Sequence, residues 1–168
     1  MILYSDGYYS RMTFLLIAIT LCVFNVLGDT ENFTPNLVTS MPGWNGDLPF
    51  KMYTGYLKGG ETERLFYIYV ESEDVDPSEA PVTAWFNGGP GCSSFDGFWT
   101  ENGPFVIRED LSLELRPFRW NRLSNMIYME SPVGVGLSYD IEGNYNNSDD
   151  RTAIMNQRAF NHFFELFP

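Results

Sequence analysis

With 168 residues, 44% hydrophobic and 17% aromatic, the chain has apolar side chain enough for one packed domain and too much for a disordered polymer. Ten Lys and Arg against 22 Asp and Glu leave a net charge of −12, which argues against nucleic acid and anionic membrane as partners. No internal repeat or low-complexity tract is evident.

The first element is a predicted secretory signal peptide over residues 1–28. Arg11 precedes the apolar run 14–24, and Val26-Leu27-Gly28 closes it on a small residue, with Met12 as an alternative start. The run falls short of the roughly 20 apolar residues that a membrane crossing needs. An uncleaved anchor is the competing reading. After cleavage, residues 29–168 carry no second run of that length, so no membrane association is expected. Cleavage would also remove Cys22 and leave Cys92 alone, either as a buried free thiol or as half of a missing pair. Two glycosylation triplets suit a secreted route, Asn32-Phe33-Thr34 and Asn146-Asn147-Ser148. Pro35 weakens the first.

Residues 49–58 and 65–71 are rich in Tyr, Phe, Ile and Val and flank Gly59-Gly60-Glu61, the pattern of an antiparallel hairpin. An acidic loop follows over 71–81. Residues 82–86 read as a buried strand that breaks into Asn87-Gly88-Gly89-Pro90-Gly91-Cys92-Ser93-Ser94. Residues 95–99 suit the start of a short helix. Another strand is predicted over 125–130, ending in a Pro-Val-Gly turn, then a polar loop over 140–150. Phe160, Phe163, Phe164 and Phe167 recur at helical spacing and predict one apolar face of a helix over 152–167. An opening hairpin followed by strands alternating with helices predicts an α/β sheet.

The glycine stretch carries the chemistry. Adjacent glycines turn the backbone sharply and leave amide groups uncovered, so a strand ending in them makes a site for negative charge. A phosphate loop is excluded by spacing, because the glycines fit neither nucleotide fingerprint and no Lys follows. A purely structural glycine turn is the plainer alternative.

Three motifs decide between them. Trp85-x-Asn87-Gly88-Gly89-Pro90-Gly91-Cys92-Ser93-Ser94, then Glu101-x-Gly103-Pro104-Phe105, then Glu130-Ser131-Pro132-Val133-Gly134-Val135-Gly136-Leu137-Ser138-Tyr139 stand in that order. The chain closely resembles the serine carboxypeptidase family from about Met41 to Pro168, with Leu137 where that family usually has Phe. The resemblance implies the N-terminal part of an α/β-hydrolase fold. It implies that the amide of Gly89 belongs to the oxyanion hole, and that Asn87, Gly88 and Glu101 bind the C-terminal carboxylate of a peptide. It further implies a disulfide from Cys92 to a residue beyond Pro168, and neither metal nor cofactor. The expected partner is a peptide or protein with a free C-terminus, met in a lysosome-like organelle or outside the cell.

Beside a substrate carboxylate, Glu101 would have to keep a proton, since two like charges cannot share so small a volume. Acidic conditions are therefore expected to favour binding. Without the motifs, Glu101 would read as a solvated surface acid.

The catalytic triad is not legible. Gly91-Cys92-Ser93-Ser94-Phe95 and Gly136-Leu137-Ser138-Tyr139-Asp140 both lack the second glycine of a nucleophile elbow. Ser93 belongs to the oxyanion loop, and the lone His162 sits in the predicted amphipathic helix. In the resembling family the serine elbow follows shortly after a helix ending in Phe-Pro, matched here by Phe167-Pro168. The triad is therefore expected beyond Pro168, and the chain to be an inactive, poorly folding fragment cut just before its nucleophile. An acyltransferase on the same scaffold and a non-catalytic carboxylate-binding remnant are the two other classes.

Overall fold

The computed structural model describes residues 33–168, so the signal-peptide expectation, Cys22 and the Asn32 acceptor lie outside the described residues. Among the described residues there are eight strands and one long helix: β1 (Asn36–Leu37), β2 (Met52–Lys58), β3 (Glu63–Val70), β4 (Val82–Trp85), β5 (Phe105–Ile107), β6 (Leu113–Leu115), β7 (Asn125–Met129), β8 (Tyr139–Asp140) and α1 (Asp149–Leu166). The main sheet runs β1-β2-β3-β7-β4, with β8 also on β3, and β5 and β6 form a separate pair.

The expected hairpin is present as β2 and β3, antiparallel from Met52 opposite Val70 to Lys58 opposite Arg64. Strand β3 lies at the centre of the sheet, and its alternate residues enter different cores. Phe66, Ile68 and Val70 pack with Phe98, Phe105, Leu113, Met126 and Tyr128. Leu65, Tyr67 and Tyr69 pack with Ile127, Met129, Met155, Ala159 and Phe163. Burial on both faces explains why this segment reads as a continuous apolar run rather than an alternating one. Each fully enclosed large apolar side chain contributes roughly 1.5–3 kcal/mol, so this strand anchors the fold.

Helix α1 covers the second core. Its Ser148 cap accepts the Arg151 amide at 3.2 Å, and Asp149 and Asp150 place negative charge on the first turn, where the helix dipole favours it. The buried stripe is Met155, Ala159 and Phe163, at i, i+4 and i+8. Phe160 and Phe167 flank it, whereas Phe164 is 53% exposed. The expected four-Phe face is therefore corrected at Phe164, which is one residue, about 100°, beyond Phe163.

Strand β4 pairs parallel to β7, from Val82 opposite Asn125 to Trp85 opposite Tyr128. Among the described residues it has β7 as its one sheet neighbour, and its side chains alternate exposed and half-buried. The expectation of a buried strand is corrected accordingly. The connection from β4 to β7 contains a π-helical turn at Gly97–Glu101, the β5–β6 hairpin and a 3-10 turn at Trp120–Arg122. The short helix start expected over 95–99 is present: Phe95 and Asp96 are helical and run directly into the turn Gly97–Glu101. The acidic loop 71–81 is tied to this connection by Glu73, which accepts both Arg119 Nε and Nη2 at 2.6 Å.

Candidate active site: a glycine loop bolted to the sheet

The site forms where β4 and β7 end side by side. Trp85, the last residue of β4, donates its indole N–H to Asn87 Oδ1 at 2.8 Å, and the Gly97 amide donates to the same oxygen at 3.1 Å. With two donors on Oδ1, the amide group of Asn87 has one orientation, and its Nδ2 points to Glu101, donating to Oε1 at 2.9 Å. The turn Gly97–Glu101 folds the chain back over fourteen residues to make that contact. Gly97 has to be glycine, since a side chain there would collide with the Trp85 indole and crowd Asn87 Oδ1.

The backbone of the loop is held from beneath. Asn87 N–H donates to Ser94 Oγ at 3.3 Å, and the Ser94 hydroxyl donates to the carbonyl of Met129 at 2.7 Å. Ser94 is 1% exposed, so this link is shielded from water. Between these anchors the loop rises into solvent. Gly89 has φ +134°, a region open to glycine and strained for other residues, and the Gly89–Pro90 peptide is cis. The Cys92 amide donates back to the Gly88 carbonyl at 3.1 Å. Gly88 and Gly89 are both exposed, and the Gly89 amide donates to no group among the described residues. A bare N–H in a preorganised loop can stabilise negative charge developing on a substrate oxygen.

Sequence reasoning treated Glu130 only as the head of a motif. It is 0% exposed at the end of β7, where its Oε1 accepts Ser93 Oγ at 2.6 Å and the Phe95 amide at 3.3 Å. Burial raises its pKa, with Asp96 adding to the rise, against the opposing hydrogen bonds from Ser93, Phe95 and Ser94. The available signal was a charged residue directly after the apolar run Met126-Ile127-Tyr128-Met129, at the inner end of a strand.

The remaining candidates fall outside this cluster. Cys92 is a free, exposed thiol in the loop, so the buried-thiol alternative does not hold. His162 Nδ1 accepts the Lys58 amide at 3.2 Å and its ring meets Phe33 edge-on at 4.9 Å. Burial and then Lys58 lower its pKa. That nitrogen is already committed, which leaves His162 a structural residue. Asn146 is exposed in the loop before α1. Pro168, beyond which the triad is expected, is exposed two positions after the last residue of α1. No helix among the described residues is long and apolar enough to cross a membrane.

A mixed sheet backed by a helix, with a glycine loop at the strand ends presenting a bare amide beside an Asn–Glu pair, defines an α/β-hydrolase architecture. The solved structure of Kex1(delta)p, a prohormone-processing carboxypeptidase from Saccharomyces cerevisiae, shares this fold, with a TM-score of 0.59 at 23% identity over 71% of this chain and 28% of that one. The chain belongs to the serine carboxypeptidase family, whose profile matches residues 42–168. It is 44% identical over 132 residues to the lysosomal protective protein of Mus musculus and 46% identical over 140 residues to serine carboxypeptidase 1 of Hordeum vulgare. Each alignment covers 78% of this chain and 28% of the relative, so the chain spans under a third of the length of these relatives.

Proposed function

We propose that this chain supplies the substrate grip and the oxyanion loop of a serine-type carboxypeptidase, which releases C-terminal residues from peptides through an acyl-enzyme. The observation that carries this reading is the Asn87–Glu101 hydrogen bond formed next to the uncommitted Gly89 amide. The Asn87 amide and the Gly88 N–H would donate to the terminal carboxylate of the peptide, with Glu101 beside it. The scissile carbonyl would then lie over Gly89, whose N–H stabilises the oxyanion as it forms. The nucleophilic serine, its histidine base and the orienting acid would come from sequence beyond Pro168, and no metal or cofactor is required for that route.

Other features fit the same assignment. The apolar run behind Arg11 would direct the protein into the secretory pathway, to a lysosome-like organelle or the exterior. Asn146, in an exposed loop, would accept a glycan. The exposed thiol of Cys92 would pair with a cysteine outside the chain.

The test uses the protein expressed from its complete reading frame, offered an N-blocked dipeptide and the same dipeptide as its C-terminal amide. Release of the terminal amino acid from the free acid alone, faster in acid than in mild alkali, is the expected result. Equal turnover of both, or tighter binding in alkali, would overturn the reading. Transfer of the acyl group to an alcohol in preference to water would reassign the protein as an acyltransferase.

A further inference from the structure

The attachment of the glycine loop to the sheet depends on a residue with no place in the peptide grip. Glu130 accepts Ser93 Oγ and the Phe95 amide with one oxygen, Oε1. Its backbone is immobilised, because its amide donates to the Phe66 carbonyl at 2.9 Å and its carbonyl accepts the Ser138 hydroxyl at 2.6 Å. Its other oxygen, Oε2, is enclosed against Gly136 and has no hydrogen-bond partner among the described residues. Gly136 itself has φ +52°, and any side chain there would collide with the Glu130 carboxyl. The turn is thus shaped around that carboxyl.

We propose that Glu130 is the positioning residue of the oxyanion loop, its carboxyl fixing Ser93 and Phe95 and, through them, the direction of the Gly89 amide. This inference rests on the carboxypeptidase reading. The neutral acid is the form that suits the enclosure, since it keeps Oε1 as an acceptor and places the proton on the otherwise unpartnered Oε2. An ionised carboxylate would hold an uncompensated charge there, with Asp96 the charged group acting on it from the loop. The hydrogen bonds from Ser93 and Phe95 favour the carboxylate, but burial outweighs them, so the closed clamp holds Glu130 neutral under acid conditions and opens to water as Glu130 ionises. Glu130→Gln mimics the neutral acid at every pH.

The experiment measures kcat and KM from about pH 4 to pH 8, for wild type, Glu130→Gln, Glu130→Ala and Ser93→Ala, each expressed from the complete reading frame. Hydrogen exchange at the Phe95 amide is followed in parallel. The Ala variants should lose kcat on the order of tenfold or more with KM little changed, the signature of a displaced oxyanion donor. Glu130→Gln should keep wild-type kcat in acid and decline less in alkali, and only the Ala variants should speed Phe95 exchange in acid. Losses in KM instead of kcat, a Gln variant as impaired as Ala, or unchanged Phe95 exchange would overturn the proposal. If Glu130→Ala does not fold, Ser93→Ala and Glu130→Gln decide by the same criteria. A wild-type enzyme without turnover would sink the carboxypeptidase reading, while Phe95 exchange still reports on the clamp.

Discussion

Asn87 donates its side-chain amide to Glu101 across a gap of fourteen residues, and the same Asn87 accepts the Trp85 indole two residues before it. One side chain therefore ties the end of β4 to the turn that returns toward it. Its second Nδ2 hydrogen meets no acceptor among the described residues, which leaves it available to one supplied from outside.

Replacing Asn87 by Ala removes that donor and leaves the Trp85 indole and Gly97 amide unpaired. We expect KM for a free-acid dipeptide to rise by about tenfold or more, the weight of one or two hydrogen bonds, with a smaller change in kcat. Steady-state kinetics on the acid and amide forms of the substrate will show it, since any activity on the amide should be unaffected in KM.

Gly97→Ala should damage the same grip without touching a functional group. The new methyl would meet the Trp85 indole, forcing Asn87 to shift. A destabilisation of about 1–3 kcal/mol is expected from overpacking of this kind, and denaturant melts will register it. KM should rise together with the loss of stability.

Two enclosed acids should give the protein a stability maximum in mild acid. Burial pushes the Asp140 carboxyl up, but hydrogen bonds from the Asn144 amide, the Thr62 hydroxyl and the Glu142 amide, with the charge of Arg151, outweigh it and hold the pKa below its ordinary value. Its contribution is present above the unfolded-state pKa and is lost as pH falls through the lower folded value. Glu130, held mainly by burial above its ordinary value, acts in the opposite sense. Its contribution is complete below the unfolded-state pKa and is lost as pH rises through the folded one. Thermal melts across pH should show Glu130→Gln removing the alkaline decline, and Asp140→Asn removing part of the acid one.

Helix α1 offers a paired control on packing. Phe163→Ala should cost about 3–5 kcal/mol, because the ring is fully enclosed and packs edge-on against Tyr67 and Tyr69. Phe164→Ala, on the exposed side, should fall within about 0.5 kcal/mol of wild type. Equal losses in chemical denaturation would contradict the observed rotation of the helix.

The elements legible in the sequence were those with a strong local signal. The β2–β3 hairpin announced itself through apolar runs around Gly59-Gly60, and α1 through its Phe spacing. The short strands β1, β5, β6 and β8 escaped notice because two or three residues carry no period. Strand β4 looked buried from composition alone, as an apolar run cannot declare which of its edges has a neighbour. The meeting of Asn87 with Glu101 could be anticipated from loop length and motif. The enclosure of Glu130 could not, since it depends on Phe66 and Ser138 being brought together by the sheet.

The Ser94 hydroxyl joins the peptide amide of Asn87 to the carbonyl of Met129, whose side chain lies in the core beneath α1. A single oxygen thus gears the glycine loop to the interior of the molecule. On the carboxypeptidase reading proposed above, slippage in that interior would reach a bound peptide as misalignment, which would give evolutionary tuning of substrate choice a handle among residues that never meet the substrate.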